Sequence, residues 1–539
     1  MGAWLGYFGP CDAALLGRML GPAAQIHASP GFGLGVVNAS GEPACLTWSP
    51  EGRVTVAIGE DDQAGCSATV DPARSALILA CDPFGAHGVY MVQIGAALWF
   101  ASDLRLLRRH PDLAEGIDLT ALYGYLCFSY VPTPLTIRQG VAALPAGSRR
   151  EFAPGAAPQE RETAWREEET PEMPEEAAVA ALRRLMSDSV ARQLGAQRDA
   201  AVFLSGGLDS SLVAALLCEA GARVHLFTLD FGPPFDAERP CAQQVADHLG
   251  RPLHVVSARP DRIRAALMTT GAALEQPFGD GVTVPLTLLG QAAAQHAGLV
   301  FNGEGGDQLF GGWANKPMIA AELYGGPGYD REAAYLATFH RFYGLTDALL
   351  TPRARAALGS VDAGAWIRPA LNAPGFRSLL HRLRAANLRL KGAQNIAPRT
   401  TQLAAACGLR ARSPFFDRAL AGWTFTLPPE RFLSGACEKA LLKRVAEFYL
   451  PPQIVWREKR GMGVPTTEWL LGPLRWEATH YLSPPRLQRA GWLDGDFVGA
   501  LRRGTDQPGE FRRRRVGEKL WTLLMLAVWQ EAHTGDMRA

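Results

Sequence analysis

No stretch of this 539-residue chain reaches the roughly eighteen uninterrupted apolar residues that a membrane span requires, so no span is expected. The start, MGAWLGYFGP, lacks the basic segment and apolar core of a signal peptide. It also lacks the Ser or Thr six residues in that accompanies myristoylation. The nine cysteines include no CxxC pair and are odd in number, which predicts reduced thiols and a cytoplasmic address. A net charge of +1 gives no electrostatic reason to expect nucleic acid or a membrane surface as partner. What remains is ordinary for a globular protein: 47% hydrophobic residues with 57 glycines and 38 prolines, in a chain long enough for two or more domains.

The stretch VFLSGGLDSSLVAALL stands out. An apolar run, Ala201 to Leu204, breaks into Ser205, Gly206 and Gly207; after Asp209, Ser210 and Ser211, apolar residues recur three and four apart. The pattern predicts a buried strand, a tight turn and a helix. Glycines there let backbone N–H groups approach a ligand, and the helix start adds donors and partial positive charge. Ser205, Gly206, Gly207 and Ser210 are thus candidates to cradle phosphate. The Walker spacing and its lysine are absent. An aspartate in such a loop makes sense as the holder of a cation, Mg²⁺ against pyrophosphate. The plain alternative is an ordinary strand–turn–helix corner.

The second half continues as strand–helix units: Val224–Phe231, a helix over Gln243–Leu249, and a short strand Leu253–Val256. This alternation predicts a parallel sheet with ligands at the carboxyl ends of its strands. Leu299–Asn302 is a further buried strand, running into Gly303-Glu304-Gly305-Gly306-Asp307-Gln308. Its glycines permit close backbone approach to a charged ligand, with Gly303 among the binding candidates, and Asp307 can join Asp209 as a second carboxylate on the metal. Downstream come a predicted helix Thr400–Cys407 preceded by Arg399, and a basic segment in which Cys437–Lys443 starts a helix and Trp456–Pro465 carries Lys459. In the first 152 residues, Ser75–Cys81 and Gly88–Ala101 read as strands around an Asp82-Pro83-Phe84-Gly85 turn, followed by a helix capped by Asp118. Residues 151–177, rich in Pro, Glu and Arg, read as an exposed connector. The Arg512–Arg515 run is read as a solvated helix face, with an acidic leader peptide or RNA as the functional alternative.

SGGLDSS resembles the loop of the PP-loop ATP pyrophosphatases. The order of GEGGDQLFGG, RSPFFD, and KRGMGVP behind it resembles the asparagine synthetase family, which includes β-lactam synthetases and lasso-peptide cyclases. The resemblance extends to an N-terminal glutaminase-like domain through the D-PFG turn, FASD, YVPTPLT (Tyr130–Thr136) and LPAG (Leu144–Gly147). It implies an α/β fold: an Ntn-hydrolase-like αββα sandwich over 1–152, a linker over 153–177, and a PP-loop domain with helical additions over 178–539.

The resemblance also implies that a substrate carboxylate attacks ATP to give acyl-AMP and pyrophosphate, after which an amine or ammonia displaces AMP. Leu204, Phe227 and Thr228 would contact adenine and ribose. Glu304 would orient or deprotonate the amine, Lys459 would sit over the developing charge and Lys439 on pyrophosphate, with Arg399 near the substrate carboxylate. Asp236 and Glu238 match the family's acidic pair, a solvated loop being the alternative. Gln308 stands where the family has a second acid, and Gly2 where it has the glutaminase cysteine, so no glutaminase activity is expected. A small-molecule or peptide carboxylate is the expected partner; a precursor peptide, a peptidase and a second copy of the chain stay open, as does a non-catalytic nucleotide-binding role.

Overall fold

Alternation of apolar and polar residues builds the first half. In Val54–Ile58 and Cys66–Asp71, Val54, Val56, Ile58, Cys66, Ala68 and Val70 point inward while Thr55 and Thr69 face outward and share a 2.9 Å hydrogen bond. The computed structural model describes residues 2–11, 13–38, 42–59, 65–163, 165–168, 173–235, 238–312, 316–326, 328–458, 463–504 and 510–534. Two six-stranded antiparallel sheets stack. The first is centred on Ala3–Phe8 and Ala97–Ala101, the second on Cys66–Asp71 and Ala76–Ala80. Trp4, Leu34, Val56, Leu79 and Phe100 fill the space between them. Helices Ala13–Leu20 and Leu104–Leu107 cover the outer face of the first sheet through Leu16, Met19 and Leu104. Among the described residues the second sheet's outer face stays half-exposed.

Two details differ from the sequence expectation. The Asp82 turn carries the chain from one sheet to the other, its carboxylate accepting hydrogen bonds from Phe84 and Ala86 N–H at 2.8 and 3.3 Å. Inside the expected linker, Gln159–Glu162 is a strand paired with Ser148–Phe152, held by an Arg150–Glu160 ion pair. Its composition disguises it because all four residues are exposed edge positions.

The second half holds five parallel strands: β1 (Asp199–Phe203), β2 (Arg223–Asp230), β3 (Leu253–Ser257), β4 (Leu299–Phe301) and β5 (Arg410–Arg412), in the order β3-β2-β1-β4-β5. Ala200, Ala201 and Val202 of β1 are wholly buried, as expected of a strand covered on both faces. The chain winds outward from β1 through β2 and β3, then returns to the opposite side as β4 and β5. The crevice beyond β1 and β4 is therefore the topological switch point of the sheet, where ligands bind in such folds.

Helices added after β4 close over that crevice. One of them, Leu379–Asn387, continues as a π-helix over Leu388–Ile396 before Ala397–Ala406. Arg399 thus lies inside a helix whose regular turns begin at Ala397, not ahead of one at Thr400. Likewise Cys437–Glu438 is a short strand paired with Leu433–Ser434, and the helix there begins at Ala440. The two halves are joined by Arg412–Glu42 at 2.8 Å, by Leu104 N–H donating to Glu275 at 3.2 Å, and by the Tyr125 hydroxyl on the Thr522 carbonyl at 2.7 Å. Among the described residues, no helix is long and apolar enough to cross a membrane.

Candidate active site

Glycines let the loop after β1 pack closely on its neighbours. Gly206 has φ +67°, and a Cβ there would stand 2.4 Å from Ala242 N of helix Arg239–Leu249. A Cβ on Gly303 would stand 2.5 Å from Ser210 N, and one on Gly306 would stand 2.5 Å from the Asp209 carboxyl carbon. Only residues without a side chain allow the two loops to meet this closely. The Ser210 hydroxyl lies 3.2 Å from both Ser205 N and Ser205 Oγ, which folds the loop over the first turn of helix Leu208–Glu219. Backbone donors at a helix start and two hydroxyls then face one opening.

That opening leads to a cavity of 1210 Å³. It exceeds the usual range of about 300–1000 Å³ for small-ligand sites. Ser205, Gly207, Asp209, Ser210, Gly303 and Asp307 line it, as do Leu204, Phe227, Thr228, Glu238 and Glu304. Leu204 N–H donates to the Phe227 carbonyl at 2.8 Å, so these residues are fixed relative to each other by the sheet itself. Asp236 and Lys459 lie outside the described residues, as do the side chains of Arg512–Arg515.

Lys439 reaches both acids. Its Nζ lies 2.5 Å from Asp209 Oδ2 and 2.6 Å from Asp307 Oδ1, and the residue is only 2% exposed. Burial alone would lower its pKa; the two carboxylates outweigh burial and hold the ammonium above the ordinary lysine range. The backbone of Lys439 is left-handed, φ +57° and ψ 32°, a conformation unfavourable for a residue with a Cβ. The sequence reading placed Lys439 on pyrophosphate, in the first turn of a helix. The structure puts it at the junction of strand and helix, aimed into the acid pair. Two carboxylates converging on one cationic centre also suit a hard divalent ion that completes its shell with phosphate oxygens.

Glu304 lines the same cavity. Its Oε1 accepts the Thr400 hydroxyl at 2.9 Å and lies 3.8 Å from Arg399 Nη2, whereas Oε2 is buried without a hydrogen-bond partner. Burial pushes its pKa up to about 7, against the opposing pull of Arg399 and Thr400. Arg399 is spoken for: it binds Asp280 Oδ2 at 2.8 Å and Asn395 Oδ1 at 2.9 Å.

Asp280 escaped the sequence reading. It also accepts from Arg341 at 3.1 Å and Asn395 at 2.8 Å, and although burial would raise its pKa, Arg399, Lys391 and Arg341 hold it well below the carboxylate range. Lys391, on the π-helical segment, lines the cavity too, its pKa lowered by burial despite Asp280. Periodicity gives no warning of a π-helix, although such segments often mark functional sites.

At position 2, where the resemblance implies a cysteine in the family, Gly2 N–H donates to the Glu42 carbonyl at 2.8 Å. A Cβ there would stand 2.3 Å from Ala44 N and 2.6 Å from Asn38 Oδ1. The backbone of Glu42 and Ala44 and the Asn38 side chain occupy the space a side chain would need.

Two family models agree with this architecture. The Asparagine synthase family model matches residues 181–531, and the Glutamine amidotransferase domain model matches residues 65–163. A protein of Mycobacterium tuberculosis, named provisionally as a glutamine-hydrolysing asparagine synthetase, is 26% identical over 513 residues, covering 85% of this chain and 75% of that one. Glutamine-hydrolysing asparagine synthetase 1 of Bacillus subtilis is 23% identical over 478 residues, covering 84% and 74%. Among solved structures, the ammonia-dependent NAD synthetase of Campylobacter jejuni aligns over 34% of this chain and 92% of its own at 16% identity, with a TM-score of 0.20. With the synthetase model spanning both acid–glycine loops and the lysine between them, the chain belongs to the asparagine synthase family of ATP-dependent, AMP-forming carbon–nitrogen ligases.

Proposed function

We propose that this ligase adenylates a substrate carboxylate and lets an amine supplied by the substrate, not glutamine, displace AMP. The observation that carries the reading is the convergence of Asp209, Asp307 and Lys439 beneath the Ser205–Ser210 loop. Mg²⁺ bound by Asp209 and Asp307 would neutralise pyrophosphate and favour its departure. The Ser205, Gly207 and Ser210 donors face the phosphates, and Lys439 is drawn between the acids and the phosphate oxygens. Leu204, Phe227 and Thr228 form the wall for adenine and ribose. Lys459 is assigned the developing charge at the reacting carbon on the family resemblance. Glu304, whose Oε2 has no hydrogen-bond partner in the fold, takes the amine proton as acyl-AMP collapses.

The crowding at Gly2 favours an amine source other than the chain's own glutaminase half: the position has neither nucleophile nor room for one. The cavity has space beside a nucleotide for a second group, which suits a peptide or β-amino acid cyclised through its own amine, as in lasso-peptide cyclases and β-lactam synthetases. Ammonia-dependent asparagine formation is the rival within the same chemistry, and a non-catalytic nucleotide-binding subunit the rival outside it. The deciding experiment is ATP–pyrophosphate exchange with Mg²⁺ over aspartate, other amino acids and carboxylate-bearing peptides. Exchange that depends on one carboxylate and vanishes in Asp209→Ala supports the reading. Silence across the panel with ATP still bound rejects catalysis, and glutamine-dependent amide formation with stoichiometric glutamate release rejects the missing glutaminase.

A further inference from the structure

Three histidines with no part in the chemistry above meet on one face of the parallel sheet. His225 lies on β2 two residues before Phe227, so the two share a face. His254 lies on β3, paired in register with Phe227. His296 stands between helix Thr283–Ala293 and β4. One nitrogen from each ring lies within 4.8 Å of those of the other two. Ring centroids are 4.3 Å apart for His254–His296, 5.0 Å for His225–His296 and 5.9 Å for His225–His254.

Aromatic packing is the simpler account, and two observations exceed it. His225 Nδ1 and His254 Nε2 are buried with no hydrogen-bond partner. By contrast, His381 Nε2 pairs with the Leu427 carbonyl at 2.8 Å, and His340 Nδ1 accepts from Phe342 N–H at 3.0 Å. Leaving a buried ring nitrogen unpaired costs about 1–3 kcal/mol, so two in one cluster call for an occupant. Second, the donor set is chemically uniform: three imidazoles from two strands and a turn, with no carboxylate among them. Imidazole suits zinc, nickel and copper, whereas magnesium and calcium prefer oxygen.

We propose that His225, His254 and His296 form a tris-imidazole site for a zinc-class divalent cation, with solvent as the fourth ligand. A shared ion would need one nitrogen of each ring at about 2.0–2.1 Å, and the exposed His296 leaves the fourth position open to water. The site backs onto the nucleotide wall: the Phe227 ring stacks on His254 at 4.7 Å with the planes 16° apart, and Phe227 lines the cavity.

The test is a titration of chelator-stripped full-length protein with Zn²⁺ at neutral pH against a chromophoric competitor, alongside His296→Ala and His254→Gln. His296 is exposed, so its variant should fold normally. The expected result is one equivalent of zinc in the wild type and at least about tenfold weaker binding in each variant. Co²⁺ should give intense tetrahedral visible bands that disappear in His296→Ala. Equal affinity in wild type and His296→Ala, or no stoichiometric uptake by the wild type, overturns the proposal; the first outcome assigns the metal to cysteines or other surface groups.

Discussion

Lys439 Nζ stands 2.5 Å from Asp209 Oδ2, a contact that ties the loop after β1 to a left-handed residue 230 positions away. Because Asp307 joins from the loop after β4, one buried ammonium holds both halves of the switch-point crevice. Lys439→Met removes the ammonium that the two carboxylates share. Breaking such a buried pair should cost about 3–5 kcal/mol in denaturant unfolding. Millimolar Mg²⁺ should restore part of that loss by taking the vacated position, while exchange activity falls by about 10²–10³-fold. Lys439→Gly separates the two roles, relieving the backbone while losing the charge. Should it match wild-type exchange, the ammonium is dispensable.

Gly306→Ala tests how tightly the acid pair is set. The new Cβ falls 2.5 Å from the Asp209 carboxyl carbon, so the carboxylate must move. Overpacking of this kind costs about 1–3 kcal/mol. Exchange should drop about as far as in Asp209→Ala while the melting temperature falls only slightly. Gly303→Ala, pressing on Ser210 N at 2.5 Å, should raise KM for ATP more than it lowers kcat. If both variants keep full activity, the loops are looser than their contacts indicate.

The parts of the site legible in the sequence were those where chemistry and chain continuity coincide. SGGLDSS and GEGGD each follow a buried strand directly, so both loops could be placed at strand ends from pattern alone. The position of Lys439 could not be, because its orientation depends on a positive φ at a non-glycine residue that no periodicity signals. Asp280, Arg341 and Lys391 were missed for a related reason: they come from a loop, the region after helix Arg331–Phe339 and a π-helix, and meet only in the tertiary fold. In the first half, strand alternation was readable, yet the pairing of Ala76–Ala80 with Cys66–Asp71 and not with Tyr90–Ile94 depends on which sheet each strand joins.

A cysteine placed at position 2 should not confer glutaminase activity. In Gly2→Cys the Cβ would come within 2.3 Å of Ala44 N and 2.8 Å of the Glu42 carbonyl oxygen. The thiol must displace the Glu42 backbone already bonded to Gly2 N–H. The variant should be destabilised by about 1–3 kcal/mol and release no glutamate from glutamine. Glutamate release at a measurable rate would mean that the neighbouring chain yields readily.

Glu304 should set the acid limb of the pH–rate profile. Its pKa of about 7 lies above the 4.5 of an ordinary glutamate, so the folded protein binds the proton more tightly than the unfolded chain. Two consequences share that sign. For activity, a base must be ionised, so kcat/KM for amide formation should rise with pH and level off above about 7. Glu304→Gln should remove that limb and lower the rate by about 10²–10⁴-fold while pyrophosphate exchange persists. For stability, ionising a buried carboxylate opposes folding. The penalty is absent below about pH 4.5, grows as pH rises, and is fully present above about 7. Glu304→Gln should therefore gain stability over wild type at pH 8 and lose that advantage as pH falls toward 5. Thr400→Val removes the 2.9 Å hydrogen bond that favours the ionised form, and should move the activity limb to higher pH without abolishing it. A limb that stays at the same pH in both variants would assign the titration to another group.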